Sequence, residues 1–301
     1  MNARSECTIF FGARLEIMFN SLVSIASFIA NIVLSTVFVI ISWRRCFNKV
    51  EYNGKHTIPV VCVCPVKGRA NAVQWQALLE YKGGVDLVIT LESECDAAYA
   101  PAIEFASKHT NVTVSVAGMT VKMSQKVHNL VHALRPTNGY VCFVDDDVHI
   151  ESKNIEYMAN ALASDERALA VSGFSCDIPD RYTCLLDHVA CFFRLILDVS
   201  VSSQRASAIW GGCCMMRGAD LREDGPIITA WRDAAYSDDW ILTELSRTLK
   251  RPILNPPLLL PSLVRFDTWA SLYSFLHRQA FVAHTHMNGT RMTVHRVVSS
   301  F

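Results

Sequence analysis

Four short apolar runs, separated by segments with helical spacing, constrain the fold of this 301-residue chain more than any other feature. The runs are rich in Val and Ile, and continuous runs of this kind are typical of strands buried on both faces of a parallel sheet. Strands that alternate with helices predict an α/β protein with a doubly wound sheet. The runs cover residues 57–67, 85–91, 112–116 and 140–144, and the helical segments begin near Asn71, Pro101 and Lys126.

Two acidic clusters directly follow the second and the fourth predicted strands. Ligands of open α/β sheets bind beyond the carboxyl ends of the strands, which is where both clusters fall. Alternate residues of an extended segment point to the same side, so two of three consecutive aspartates can contact one divalent cation, whose shell is completed by water and substrate phosphates. The second cluster therefore predicts a metal–diphosphate site, with a solvated acidic turn as the alternative. The clusters are Glu92, Glu94 and Asp96, and Asp145, Asp146 and Asp147.

Several classes of function are disfavoured by what the sequence lacks. It contains neither Gly-x-Gly-x-x-Gly after the first predicted strand nor Gly-x-x-x-x-Gly-Lys-Ser/Thr, the usual signals of dinucleotide binding and of P-loop phosphoryl transfer. Lys plus Arg and Asp plus Glu both total 28, whereas binding to nucleic acid through its phosphates would require a basic excess. The 11 cysteines include no Cys-x-x-Cys pair, so we expect reduced core residues rather than a zinc site or a disulfide framework.

Two later segments add candidate residues. Gly211 and Gly212 precede an apolar run, where glycine permits close approach of the backbone to a ligand or to another strand. Ser237 or Asp238 can cap the helix predicted from Trp240, and capping would then leave Asp239 free to act as a general base.

A third segment, Phe275 to Phe281, is aromatic, basic and helical in spacing. Arg278 in this segment can offset the charge of a leaving diphosphate. The segment can also form an amphipathic helix at a membrane surface, and the two interpretations are compatible.

An uncharged stretch near the amino terminus predicts a membrane anchor. Residues 22–43 are long enough to cross about 30 Å of hydrocarbon as a helix. Trp43 and the following Arg44, Arg45 and Lys49 fit a membrane interface, and the slight basic bias places the rest of the chain in the cytosol. A long buried helix is the alternative interpretation.

Five motifs in a fixed order resemble the ceramide glucosyltransferase family, especially its plant and algal branch, from about Ile58 to Phe281. The resemblance implies a GT-A-type, Rossmann-like sheet that is mixed, mainly parallel and flanked by helices, with an N-terminal transmembrane helix. It also implies inverting transfer of glucose from UDP-glucose to the primary hydroxyl of ceramide. The motifs are SQKVHNL (Ser124 to Leu130), VDDDV (Val144 to Val148), WGGCCMM, YSDDW and HRQAF.

The same resemblance assigns roles to individual residues. Asp145 and Asp147 are the implied ligands of Mg²⁺ or Mn²⁺, Asp239 is the implied base, and Arg278 is the implied catalytic residue that faces the pyrophosphate. The family usually continues into C-terminal hydrophobic helices, and residues 286–301 contain none. The implied donor-binding residues are Glu92, Asp96, Lys126, Asp145, Asp147, Arg278 and Gln279.

These expectations give a single-pass enzyme of the Golgi or endoplasmic reticulum membrane whose catalytic domain faces the cytosol. Its expected partners are UDP-glucose, ceramide or a similar lipid acceptor, and membrane lipids, with no nucleic acid. The alternatives are the same fold acting on another lipid or on a polysaccharide, and a non-catalytic anchored relative that binds a nucleotide sugar. The predicted segments are an N-terminal tail (1–21), the anchor (22–43), a linker (44–56), the GT-A catalytic domain (57–285) and a C-terminal tail (286–301).

Overall fold

An eight-stranded mixed sheet with helices on both faces organises the computed structural model. The structure describes residues 58–176, 184–198, 205–206, 208–233, 236–256, 258–261 and 265–286, together with five helical positions at 29, 33, 36, 37 and 40. The described residues from 58 onward belong to one unit of the chain, Asn48–Met287.

Strands and helices alternate along the first half of this unit, as the sequence predicts. The order is β1 (Val60–Pro65), α1 (Ala72–Leu79), β2 (Val85–Leu91), α2 (Tyr99–Ser107), β3 (Val112–Val116), α3 (Gln125–Ala133), β4 (Tyr140–Val144) and α4 (Ser152–Ser164). The second half continues with β5 (Ala170–Ser172), β6 (Phe174–Cys176), α5 (Leu185–Asp198), β7 (Arg205–Ala206), β8 (Cys213–Arg217), α6 (Pro226–Arg232), α7 (Asp238–Thr248), β9 (Ile253–Leu254), β10 (Leu259–Pro261) and α8 (Trp269–His286).

The strand order of the main sheet is β3-β2-β1-β4-β8-β5-β9-β7, and β10 pairs separately with β6. The pairs β3–β2, β2–β1, β1–β4 and β5–β9 are parallel, whereas β8 is antiparallel to both β4 and β5. The carboxyl ends of β1, β2, β3 and β4 and the amino end of β8 therefore meet at one edge of the sheet, which we call the functional edge. The predicted mixed, mainly parallel sheet flanked by helices is confirmed.

Burial on both faces explains why the apolar runs form strands. All five residues of β4 are buried, and every residue of β2 except Asp86 is buried. One face of the sheet packs against Trp75, and the other packs against Trp231, whose ring meets the Phe143 ring edge-on at 5.5 Å. Full burial of a large apolar side chain contributes roughly 1.5–3 kcal/mol, so these two faces hold the strand ends in place.

Side-chain caps fix the helices that start at the functional edge. Asn71 caps α1, Ser124 caps α3 and Ser237 caps α7, each by accepting a hydrogen bond from a backbone N–H of the first turn. The predicted helix near Pro101 begins earlier, at Tyr99, because the first turn of a helix needs no N–H at proline. The helices predicted from Lys126 and Trp240 likewise begin one and two residues earlier, immediately after their capping serines.

The predicted membrane anchor, residues 22–43, lies outside the described residues apart from the five helical positions given above. Within the described part of the chain, no helix has both the length and the apolar character needed to cross a bilayer. The cysteines that the structure describes are free thiols, and five of them are buried, in agreement with the expected core role. These five are Cys62, Cys64, Cys142, Cys213 and Cys214.

Candidate active site at the carboxyl edge of the sheet

The ammonium group of Lys126 lies at the centre of the candidate site. Lys126 is in the first turn of α3, which begins at the functional edge, and its side chain is 31% exposed. Its Nζ lies 2.9 Å from Asp145 Oδ1 and 3.2 Å from Asp238 Oδ2, and it donates a hydrogen bond to the Gly211 carbonyl at 3.0 Å. Burial alone would lower the pKa of Lys126, but the carboxylates of Asp145 and Asp238 raise it above its ordinary value. Lys126 is therefore charged and joins three motifs that are distant in sequence.

The three consecutive aspartates after β4 have different surroundings. Asp145 pairs with Lys126, whereas Asp146 is tied to the loop after β1 because its backbone carbonyl accepts a hydrogen bond from Asn71 at 3.2 Å. Burial and the charge of Asp147 raise the pKa of Asp146 to about 6. The Asp147 carboxylate is partly exposed and makes no hydrogen bond or ion pair to the residues that the structure describes. Of the three, Asp147 is the one whose carboxylate is open to a ligand.

The aspartate cluster has the donor chemistry that a hard divalent cation requires. Burial, together with the charges of Asp147 and Asp238, raises the pKa of Asp145 above its usual range, although Lys126 opposes this effect. A single ammonium thus offsets several neighbouring carboxylates, and a cation shared by Asp145 and Asp147 would reduce their repulsion. Mg²⁺ commonly takes one or two carboxylates and completes its shell with waters and phosphates. The described residues contain no group of three or more His, Cys, Asp or Glu side chains arranged to hold a metal, so a cation here would depend on water or substrate for its remaining ligands.

Asp239 is held by hydrogen bonds that orient its carboxylate. Its Oδ1 accepts from the Trp240 N–H at 2.8 Å and from the Ser237 hydroxyl, and its Oδ2 accepts from the Gly211 N–H at 3.2 Å. The carboxylate lies in the first turn of α7, near the positive end of the helix dipole. Asp239 is only partly buried, whereas its neighbour Asp238 is buried, so Asp239 is the more accessible of the two bases.

Gly211 brings the carboxylates and the sheet edge together because it has no side chain. A Cβ at this position would lie 3.0 Å from Asp238 Oδ2 and 3.1 Å from Asp239 Oδ2, closer than ordinary van der Waals contact. The adjacent Gly212 carbonyl accepts the Asp145 N–H at 2.9 Å. The backbone at Gly211 and Gly212 thus makes the expected close approach, and the residues that it approaches are aspartates of the VDDDV and YSDDW motifs.

The first acidic cluster is used to join loops at the same edge. Asp96 Oδ1 accepts from the Gly68 N–H at 2.9 Å and from the Ala98 N–H at 2.8 Å, which connects the loop after β1 to the start of α2. Glu92 forms an ion pair with Lys67 at 3.0 Å. Both predicted donor-binding residues therefore lie at the functional edge, where they already make contacts that shape its loops.

Arg278 and Gln279 are on α8, in a different part of the described chain. Arg278 is exposed, and its guanidinium lies 6.0 Å from the centre of the Phe275 ring within the same helix. Phe281, one turn further along α8, meets the Tyr236 ring at 5.1 Å, which connects this helix to the loop before Asp238. No hydrogen bond or ion pair joins Arg278 to the acidic cluster among the described residues.

Of the site residues predicted from the sequence, the structure brings together Lys126, Asp145 and Asp239, and it adds roles for Asp238 and Gly211 that the sequence does not reveal. The sequence indicates Asp238 only as a possible helix cap, because its buried ion pair with Lys126 forms only in the folded chain. The sequence predicts a close approach of the backbone at Gly211 but does not predict that the approached residue is Asp239. The only sequence signal for a role of Asp238 is its position next to Asp239.

Comparison with known protein families identifies the family of this chain. The model described as glycosyl transferase family 21 matches residues 23–248, which is well over half of the sequence. The chain belongs to glycosyl transferase family 21. This is the family of ceramide glucosyltransferases that the sequence motifs resemble, and the match extends over Lys126, the aspartates after β4 and Asp239. The segment with Arg278 lies beyond the matched residues.

One solved structure shows that the fold of this family 21 member is GT-A-like. The mannosyltransferase PcManGT from Pyrobaculum calidifontis, in complex with GDP-Man and Mn²⁺, is similar over 83% of this chain and 71% of its own, with a TM-score of 0.55 and 17% sequence identity. S. aureus TarS 1–349 is similar over 68% of this chain and 60% of its own, with a TM-score of 0.44 and 10% sequence identity. No curated protein matches the sequence significantly.

Proposed function

We propose that this family 21 glycosyltransferase transfers glucose from UDP-glucose to the primary hydroxyl of ceramide with inversion at the anomeric carbon. The observation that carries the proposal is the meeting of two motifs at one sheet edge. Gly212 holds the backbone of Asp145 and Gly211 holds the carboxylate of Asp239, so the residues proposed to bind the diphosphate and to act as the base lie side by side. The family membership supports sugar transfer, and the sequence motifs support this donor and acceptor.

In this proposal Asp239 is the general base. It removes the proton of the acceptor hydroxyl as that oxygen forms a bond to the anomeric carbon from the face opposite the UDP. The bond between the anomeric carbon and the β-phosphate oxygen breaks, and UDP departs with the electron pair. The Gly211 and Trp240 N–H groups hold the carboxylate oriented before the reaction.

Asp145 and Asp147 would hold Mg²⁺ or Mn²⁺, which supplies positive charge to the diphosphate when bound. We also propose that Glu92, Asp96 and Gln279 contact the donor, as the motif resemblance implies. Arg278 would face the pyrophosphate and offset the charge that develops on UDP. Because Arg278 is exposed and has no ion-pair partner among the described residues, its guanidinium is available for this role.

We further propose that the enzyme acts at the Golgi or endoplasmic reticulum membrane with its catalytic domain on the cytosolic side. The support is the uncharged stretch at residues 22–43 and the basic residues that follow it. An acceptor with two long hydrocarbon chains resides in the bilayer, so an anchored enzyme would meet it there.

Membranes carrying the full chain, incubated with labelled nucleotide sugars and a panel of lipids, test this function. We expect label from UDP-glucose to enter ceramide, with less transfer from UDP-galactose or GDP-mannose. Asp239→Asn membranes are the matched control and should transfer label about 10²- to 10⁴-fold more slowly. Labelling of a sterol or a polysaccharide instead would replace the acceptor, and UDP binding without transfer to any acceptor would favour a non-catalytic relative.

A further inference from the structure

The contacts of Lys126 occupy all of its hydrogen-bonding capacity within the protein. A lysine ammonium has three N–H donors and no acceptor. Four oxygen atoms surround Nζ: Asp145 Oδ1 at 2.9 Å, Asp145 Oδ2 at 3.0 Å, the Gly211 carbonyl at 3.0 Å and Asp238 Oδ2 at 3.2 Å. A donor phosphate would have to displace one of these partners to obtain a direct hydrogen bond.

These same contacts determine how the two adjacent aspartates of α7 differ. The Asp238 side chain is 9% exposed, and Lys126 offsets its charge. Asp239 instead takes its donors from backbone N–H groups, one of which belongs to Gly211. Since Lys126 bonds to the carbonyl of Gly211 while the N–H of Gly211 bonds to Asp239, the ammonium fixes the residue that orients the base.

We propose that Lys126 is a positioning residue rather than a direct ligand of the nucleotide sugar. It withdraws Asp238 from the reaction and aligns Asp239 through Gly211. This inference rests on the proposed function for the identity of the base. It is an alternative to the donor-binding role that the motif resemblance implies for Lys126.

Lys126→Met is the direct test, with Lys122→Met as the matched control. Lys122 lies in the same loop-to-helix region, is exposed and makes no side-chain ion pair with the described residues. We expect Lys126→Met to lower kcat about a hundredfold, the loss that misplacement of a catalytic group by about 1 Å produces, while the KM for the nucleotide sugar changes less than about threefold. Lys122→Met should leave both constants unchanged.

Affinity for UDP in the presence of Mn²⁺, measured by calorimetry, separates this role from donor binding without any turnover. A positioning role predicts affinity that is unchanged or slightly higher, because the carboxylate of Asp145 gains freedom to contact a cation. If Lys126 bound the diphosphate directly, affinity would fall about ten- to a hundredfold, as loss of a charge-assisted hydrogen bond does, and this result would overturn the inference.

Removal of Lys126 leaves buried carboxylates without a counter-charge, so the variant can fail to fold. Lys126→Met combined with Asp238→Asn removes one charge of each sign and restores the balance. We expect the double variant to fold, to bind UDP and to keep the low kcat, because the contact from Lys126 to Gly211 remains absent. Recovery of wild-type kcat in the double variant would contradict the inference. If the wild-type chain binds UDP but transfers no sugar, the proposed function fails, while the affinity measurement still tests the position of Lys126.

Discussion

Gly211→Ala tests the close packing at the candidate active site. The new Cβ would lie 3.0 Å from Asp238 Oδ2 and 3.1 Å from Asp239 Oδ2, so one or both carboxylates must move by a few tenths of an ångström. Lys126 restrains Asp238, and the movement therefore falls mainly on Asp239. Misplacement of about 1 Å costs about a hundredfold in rate, which suggests a loss of kcat of about tenfold for a smaller shift.

The crowding also has a cost in stability. Overpacking of a tight site costs about 1–3 kcal/mol, so the Tm should fall by several degrees. Gly225→Ala is the matched control: its Cβ would lie 3.0 Å from the Arg222 carbonyl, with no site carboxylate nearby. We expect similar decreases in Tm for the two variants and a loss of kcat only for Gly211→Ala. Equal activity of the two variants, measured by transfer of labelled sugar, would refute the packing argument.

Two other substitutions have clear expected outcomes. Asp239→Asn should lower kcat by about 10²- to 10⁴-fold and preserve UDP affinity, because it removes a base and not a donor ligand; normal turnover would exclude Asp239 as the base. Burial raises the pKa of Asp187, but hydrogen bonds from the N–H groups of Cys184 and Phe266, each 2.9 Å away, lower it by a larger amount. The pKa of Asp187 in the folded protein therefore lies below its usual range. The stability that Asp187 contributes is therefore present above the unfolded-state pKa of about 3.9 and is lost as the pH falls through the lower folded-state pKa. Asp187→Asn should thus have a lower Tm than the wild type at pH 7, and this difference should shrink as the pH falls below about 3.9; a pH-independent difference would be inconsistent with this assignment.

The sequence predicts the first half of the sheet well because each apolar run fills both faces of a layered core. The limits 85–91, 112–116 and 140–144 coincide with β2, β3 and β4. The strands β5, β7 and β9 have only two or three residues, which is too short for periodicity to identify them. Their positions depend on pairing with β8 and with one another.

The site could be predicted only in part for a similar reason. Residues that directly follow a strand, such as Asp145, are placed at the sheet edge by the strand itself. Asp96 joins loops by accepting from the Gly68 N–H, and Asp146 does so by accepting from the Asn71 side chain, and no local pattern specifies either contact. The pairing of Lys126 with Asp238 links two helices that are distant in sequence, and only the folded chain brings their first turns together.

The central claim is that the aspartates after β4 bind a nucleotide diphosphate together with a divalent cation. Calorimetric titration of UDP into the wild type, Asp147→Asn and Asp86→Asn, each with and without Mn²⁺, tests it most directly. Asp86 is an exposed residue of β2 and serves as the control. We expect Mn²⁺ to strengthen UDP binding at least tenfold in the wild type and in Asp86→Asn, and to have little effect in Asp147→Asn. Equal enhancement by Mn²⁺ in all three proteins would contradict it.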